Sequence, residues 1–201
     1  VMRPPRKNNM FRKVLIANRG EIAVTIIRAC REMGIQSVAV FSEADRDALH
    51  VQLADEAVCI GPAEPKYSYL NPQAILSACT ITGAEAIHPG FGFLSENADF
   101  ARMCAKCGVT FIGPSPETME LLGDKNSARR TAVENDLPVT PGSQTLIDNP
   151  QDALRMAEEI GYPIMIKATS GGGGRGMRMA EDQDELPKQF RAAQMEAEAS
   201  F

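Results

Sequence analysis

No apolar run in the 201-residue chain approaches the roughly 20 residues that a membrane-spanning helix needs, which excludes a helical membrane span. There is no excess of basic charge either. Lys and Arg number 21 against 26 Asp and Glu, a net charge of −5. That mild acidity argues against nucleic acid as the main partner. Histidine is scarce, present only as His50 and His88. The cysteines are odd in number and scattered, at Cys30, Cys59, Cys79, Cys104 and Cys107. Apolar neighbours around several of them point to buried free thiols in a reducing compartment. Cys104 and Cys107 make one CxxC with no second pair, so it reads as a coincidence within a helix rather than a metal or redox site. Residues 1–9 (VMRPPRKNN) lack the apolar core of a signal peptide and are short for a transit peptide. They read as a disordered leader or a cloning remnant, with Met10 as the natural start. The expected location is the cytoplasm; a mitochondrial matrix or a plastid also fits. No internal repeat is visible.

What the chain does have is an ordinary globular composition, 44% hydrophobic and 23% charged, at a length suited to one or two domains. It also has one unusual stretch, residues 162–179, YPIMIKATSGGGGRGMRM. A short apolar run ends on Lys167. Four consecutive glycines follow, Gly171, Gly172, Gly173 and Gly174, then Arg175 and Gly176, and the chain turns apolar again at Met177 and Met179. Holding four glycines still costs much backbone entropy. That cost is tolerated where backbone must lie directly on a ligand. Unhindered N–H groups flanked by Lys167 and Arg175 suit a polyphosphate better than a flexible linker. The P-loop pattern fails, because Gly176 is followed by Met177 and Arg178 rather than Lys and Ser or Thr. The dinucleotide pattern must open a helix, yet Met177 and Met179 alternate with Arg178 as a strand would. Strand, glycine loop, strand is a hairpin, so the loop is expected to be a mobile flap.

The rest of the chain reads in order as α/β. Residues 13–18 (KVLIAN) are an apolar run suited to a buried parallel strand. Residues 20–33 place Ile22, Ala23, Ile26, Ile27 and Cys30 on one helical face, stopped by Gly34. Residues 37–41 (SVAVF) are a second strand, completing a βαβ unit. Helices near 48–54, 71–82 and 97–106 alternate with strands at 57–60, 86–88 and 110–112. This predicts a doubly wound, Rossmann-like parallel sheet over residues 10–113. The turn after the first strand has only Gly20, too few glycines for a bound dinucleotide. There Arg19 and Glu21 can pair with each other or with another domain, or form a plain surface ion pair. Residues 114–140 read as a helical linker. Residues 141–201 read as a small α+β unit: a helix at 150–160, the hairpin, and a final helix at 182–200.

Several stretches then carry a family in order: KVLIANRGEIA, ADRDALHVQLADEAVCIG, SYLN, AIHPGFGFLSENADFA, FIGPS, GDK and the glycine flap. Together they resemble the N-terminal part of biotin carboxylase, an ATP-grasp enzyme found as a subunit or module of acetyl-CoA, propionyl-CoA and pyruvate carboxylases. The resemblance runs from Met10 to Phe201. It implies a pre-ATP-grasp domain followed by an incomplete ATP-grasp lid. It implies a ligase that uses ATP, Mg2+ and bicarbonate to carboxylate biotin held on a carrier protein, with a separate carboxyltransferase choosing the final acceptor. It implies that Lys125 and Lys167 contact the ATP phosphates and that Gly171–Gly176 and Met177 close over the nucleotide. Phe91 and Gly92, in HPGFG, match the lining of the biotin site. The family most often has a tyrosine where Phe91 stands, so one hydroxyl is missing. Arg28 and Glu32 match contacts of the homodimer, where Thr25 replaces a usual arginine.

The resemblance further implies a third domain supplying the Mg2+ carboxylates, the bicarbonate-binding cations and the catalytic base. No catalytic residue or metal ligand is expected within these 201 residues, so the chain by itself is expected to be inactive. His88 reads either as a base or as a satisfied core histidine. Two other readings stand beside this one. A carbamoyl-phosphate or purine-pathway ATP-grasp ligase would lack HPGFGFLSEN and ANRGEIA. A non-catalytic Rossmann-type module would need the missing glycines.

Overall fold

The computed structural model describes residues 10–143, 145–167 and 177–200, with side chains to Glu196. The chain forms two compact units, one ending at Glu120 and the other starting at Leu121.

In the first unit five strands run β1 (Lys13–Ile16), β2 (Gln36–Ser42), β3 (Glu56–Gly61), β4 (Ala86–His88) and β5 (Thr110–Phe111). They lie in the order β3-β2-β1-β4-β5, and every pairing is parallel. The helices are α1 (Gly20–Glu32), α2 (Leu49–Leu53), α3 (Pro72–Thr82) and α4 (Ala98–Lys106). Side chains alternate across a strand, and β1 shows both faces. Leu15, with Ala17 just beyond the strand, packs into a cluster with Ile75 and Cys79 of α3 and Phe100 and Cys104 of α4. Ile16 packs with Ala23 and Ile27 of α1 and is joined by Leu53 of α2. Helices therefore cover both faces, the doubly wound arrangement expected of continuous apolar strands. Each fully buried Leu, Ile or Phe contributes about 1.5–3 kcal/mol.

The chain leaves β1 towards β2 and β3, then returns to the other side of β1 for β4 and β5. The β1/β4 border is thus the point at which the strand order reverses, and a crevice opens there at the carboxyl ends of the strands.

Helix boundaries follow side-chain chemistry. Asn71 and Asn97 stand outside their helices as caps, accepting the N–H of Ala74 at 3.2 Å and of Phe100 at 2.8 Å. At its far end α1 closes at Gly34, with φ 71°, while Ile35 N–H donates to Cys30 O at 2.8 Å.

The second unit contains α5 (Pro116–Gly123) from its sixth residue on, then α6 (Lys125–Glu134), α7 (Pro150–Ile160), β6 (Ile164–Lys167), β7 (Met177–Ala180) and α8 (Leu186–Ser200). The final helix starts later than its composition suggests. Asp182 accepts the N–H groups of Asp184 and Glu185 at 2.9 Å each, holding a turn ahead of it. β6 and β7 pair antiparallel. Ile164, Ile166 and Ala180 pack with Ala153 and Ala157 of α7 and with Leu186 and Phe190 of α8. Helix packing gives a lone two-stranded ribbon the stability it otherwise lacks.

Candidate functional site

The crevice at the β1/β4 border has a volume of about 460 Å³. Asn18, Arg19, Gly20, Glu21 and Ile22, following β1, form one wall; Phe91, Gly92 and Phe93, following β4, form the other, with Asp45 and Ala48 beside them. Phe91 is 77% exposed. It is a large apolar ring held in the open at the edge of a concave surface.

The loop carrying Phe91 is fixed from two sides. Asn18 is fully buried; its carboxamide donates to Pro89 O at 2.8 Å and to Phe91 O at 2.9 Å, and accepts Arg19 N–H at 2.9 Å. On the other side Phe93, at φ 46°, stacks on Tyr69 with ring centres 5.1 Å apart. A left-handed phenylalanine is strained, and the stack is what holds it. The Arg19 guanidinium lies over both rings, 5.2 Å from Tyr69 and 5.4 Å from Phe93.

Arg19 finds its carboxylate in Asp45, at 3.6 Å, a partner that the turn itself did not offer. Asp45 also accepts the Tyr69 hydroxyl at 2.6 Å and the Ser42 hydroxyl at 2.8 Å. Burial alone would raise its pKa, but the Tyr69 and Ser42 hydrogen bonds and the Arg19 charge outweigh it and hold the carboxyl below its ordinary value. Burial, then the Asp45 hydrogen bond, pushes the Tyr69 phenol up to about 12. The result is a carboxylate clamped by two hydroxyls and a guanidinium, with two rings beneath. It is a rigid brace, not an acid–base pair.

His88, at the end of β4, accepts Gly90 N–H on Nδ1 at 3.0 Å. That fixes the neutral tautomer protonated on Nε2, and burial lowers its pKa. Its ring serves the loop. His50 is buried, donates through Nε2 to Val40 O at 3.3 Å and leaves Nδ1 without a partner.

The second unit offers a different surface. Direct cross-strand partners share a face. Met165 opposes Met179 and Lys167 opposes Met177, on the side of the hairpin away from α7 and α8. Met165, Met177 and Met179 are 47%, 39% and 49% exposed. Sulfur side chains of this kind make a soft, polarisable bed for a planar ring, and Lys167 sits at the loop end of it. Lys125 opens α6 directly after the cap Asp124, which accepts Ser127 N–H at 2.7 Å. Gly171–Gly176 and Arg175 lie outside the described residues. Arg28 and Glu32 are exposed on α1 with Thr25, whose hydroxyl donates to Glu21 O at 2.9 Å on its own helix.

The structure therefore brings Phe91 and Gly92 together with residues that sequence spacing did not single out: Asn18, Asp45, Tyr69 and Phe93. Asp45 and Tyr69 come from loops far apart in the chain, so no local pattern could pair them. Asn18 left one signal, a lone carboxamide between an apolar strand and an Arg-Gly turn. Of the cysteines, Cys30, Cys79 and Cys104 are buried while Cys59 and Cys107 are exposed. Among the described residues no group of three or more His, Cys, Asp or Glu is placed to hold a metal ion. Nor is any helix among them long and apolar enough to cross a membrane.

Comparison with known proteins matches these two units to two family models. Residues 10–119 match "Biotin carboxylase, N-terminal domain". Residues 124–201 match "Carbamoyl-phosphate synthase L chain, ATP binding domain". The seam between the matches contains the division seen in the structure. Biotin carboxylase 1 of Bacillus subtilis is 56% identical over 192 residues, covering 96% of this chain and 43% of that protein. Among solved structures, a biotin carboxylase–ATP complex from Campylobacter jejuni superposes with a TM-score of 0.89 at 47% identity, covering 96% of this chain and 43% of that one. The biotin carboxylase domain dimer of Hydrogenobacter thermophilus 2-oxoglutarate carboxylase, with MgADP, ADP and bicarbonate, gives 0.87 at 47% identity, with the same 96% and 43% coverage. The chain thus spans less than half the length of these relatives. With the first family model covering more than half of its residues, the chain belongs to the biotin carboxylase family, as its N-terminal part.

Proposed function

We propose that this chain supplies the biotin-facing crevice and the nucleotide lid of an enzyme that uses ATP and bicarbonate to carboxylate biotin on a carrier protein. The observation that carries the reading is the crevice at the β1/β4 border, where exposed Phe91 and Gly92 stand beside a clamped loop. An apolar ring and an open backbone suit a ligand that is part hydrocarbon and part urea. The phenylalanine supplies contact area, and it leaves to other groups any hydrogen bond that a tyrosine would make.

For the nucleotide, the methionine face of β6 and β7 fits an adenine ring, and Lys167 at its loop end fits the phosphates. Lys125 and the glycines Gly171–Gly176 are assigned to the same phosphates. Cations and backbone donors are what a transferring phosphoryl group requires. Mg2+ ligands, the base and the bicarbonate cations are assigned to residues outside this chain, as is the carboxyltransferase that takes the product. Arg28 and Glu32, exposed on α1, are assigned to a homodimer contact, in line with the domain dimer of the Hydrogenobacter relative. The site is placed in the cytoplasm or the equivalent organelle interior.

The test joins this chain to the remaining length of the Bacillus subtilis relative and measures ATP hydrolysis. Turnover that needs both bicarbonate and free biotin is expected. Turnover independent of biotin, from a folded protein, would overturn the reading.

A further inference from the structure

The geometry points to Asn18 as a positioning residue for the biotin crevice: its buried carboxamide holds Pro89 O and Phe91 O so that Phe91 and Gly92 present themselves to the ligand. The inference rests on the crevice reading above and deepens it. It begins from burial. Asn18 is 1% exposed, two residues past the end of β1, where the chain could have used an apolar residue. A buried carboxamide is costly unless its groups are all paired, and here the pairing is specific. Both Nδ2 hydrogens are used, on Pro89 O at 2.8 Å and Phe91 O at 2.9 Å, and Oδ1 takes Arg19 N–H at 2.9 Å. Only one orientation of the amide satisfies this set, since the reverse would face oxygen to two carbonyls and NH2 to an N–H.

The amide is thus a template for the loop's shape. It grips the residue before Gly90 and the residue after it, across a turn beyond the end of β4. Gly90 shows how tight the fit is. It has φ 67°, and a Cβ placed there would come 2.8 Å from Asn18 Nδ2 and 2.7 Å from Ile22 Cγ2. The loop thus lies directly on Asn18. Phe93 is held separately by Tyr69 and Arg19. The segment between, Pro89 to Phe91, is held by Asn18 at both carbonyls, with His88 taking only the Gly90 N–H. Phe91 itself is largely exposed, so burial does little to fix it.

The experiment uses the completed enzyme and free biotin. Asn18→Asp keeps the volume and the acceptor for Arg19 N–H, but sets carboxylate oxygen against two carbonyls. Gly90→Ala keeps the Asn18 side chain but sets a methyl between the loop and the amide, 2.8 Å from Nδ2, and so pushes the loop off it. In either variant the biotin KM is expected to rise about tenfold to a hundredfold, with the ATP KM within about twofold of the parent. A role in folding alone would lower the amount of active enzyme and leave both KM values alone. A folded Asn18→Asp enzyme with an unchanged biotin KM, or with both KM values raised alike, would overturn the inference. Should Asn18→Asp fail to fold, Gly90→Ala decides by the same two numbers. Phe91→Ala separates the two levels: if it leaves the biotin KM unchanged, the crevice reading itself falls. If it raises that KM while Asn18→Asp does not, only the positioning role falls.

Discussion

Replacing Tyr69 by Phe tests the brace beneath the crevice, because it removes one oxygen and leaves the ring. The ring is fully buried, so its stack on Phe93 survives. What goes is the donation to Asp45 at 2.6 Å and the acceptance of Ser42 N–H at 3.0 Å. The first is a hydrogen bond to a charged group, about 1.5–3 kcal/mol, and the second leaves a buried N–H unpaired, about 1–3 kcal/mol. Part is recovered, since Asp45 keeps the Ser42 hydroxyl at 2.8 Å and Arg19 at 3.6 Å, and its side chain is 23% exposed to water. The net expectation is a loss of about 2–4 kcal/mol, a large share of a typical domain's stability. Urea unfolding at pH 7, followed by circular dichroism, measures it. Asp45→Asn and the double variant complete a cycle. Because the two groups are in contact, a coupling of about 1 kcal/mol or more is expected. A loss below about 0.5 kcal/mol for Tyr69→Phe, or additive single changes, would mean that the carboxylate is held by Arg19 and water and that the brace does not exist as drawn.

Other perturbations follow from the same structure. In the completed enzyme, Lys125→Gln and Lys167→Gln each remove a cation assigned to phosphate, and the ATP KM is expected to rise about tenfold or more; an unchanged KM in both sinks the assignment. Burial lowers the pKa of both His50 and His88. The unfolded chain therefore binds more protons as pH falls below about 6.5, and stability should fall from pH 7.5 to 5.5, by at most about 1.4 kcal/mol per pH unit for each histidine. A flat unfolding profile across that range would contradict the burial of both rings. Gly61→Ala places a methyl against the Tyr67 carbonyl at φ 141°, and thermal unfolding should show a loss of about 1–3 kcal/mol; no loss would mean that the turn after β3 yields easily.

Much of the fold was legible because parallel strands advertise themselves. Val14 to Ala17 and Val38 to Phe41 are buried on both faces, and they read as continuous apolar runs for that reason. Helix ends were less legible. Asn71 and Asn97 fit a helical count, yet each side chain does more as a cap than inside the helix. The order of strands across the sheet was not readable at all. It depends on which strand borders β1 on its second side, and no local pattern encodes that. The site shows the same division. Lys167 and Met177 flank the glycine run in the sequence, and the register makes them cross-strand partners. Phe91 and Gly92 came only through resemblance, since nothing in HPGFG marks an exposed ring as functional.

The supports of that ring were the least legible, and for a physical reason. A residue that contacts a ligand must have the right chemistry at the right place, so its type carries information. A residue that supports it needs only to satisfy a neighbour, and the neighbour comes from elsewhere in the chain. Asn18 meets Pro89 and Phe91 at sequence separations of 71 and 73, and Tyr69 meets Asp45 at 24. Each of these contacts exists because β1 and β4 are adjacent in the sheet or because the loop after β2 folds back over their carboxyl ends. The crevice is thus a consequence of strand order before it is a consequence of any one side chain. The reversal at β1 opens the gap, the parallel direction puts both following loops at the same edge, and Asn18 and the Tyr69–Asp45 pair then fix what those loops display. A change of Phe91 should therefore alter which ligand is accepted. A change of Asn18 should alter how well any ligand is accepted there, whichever ring position 91 carries.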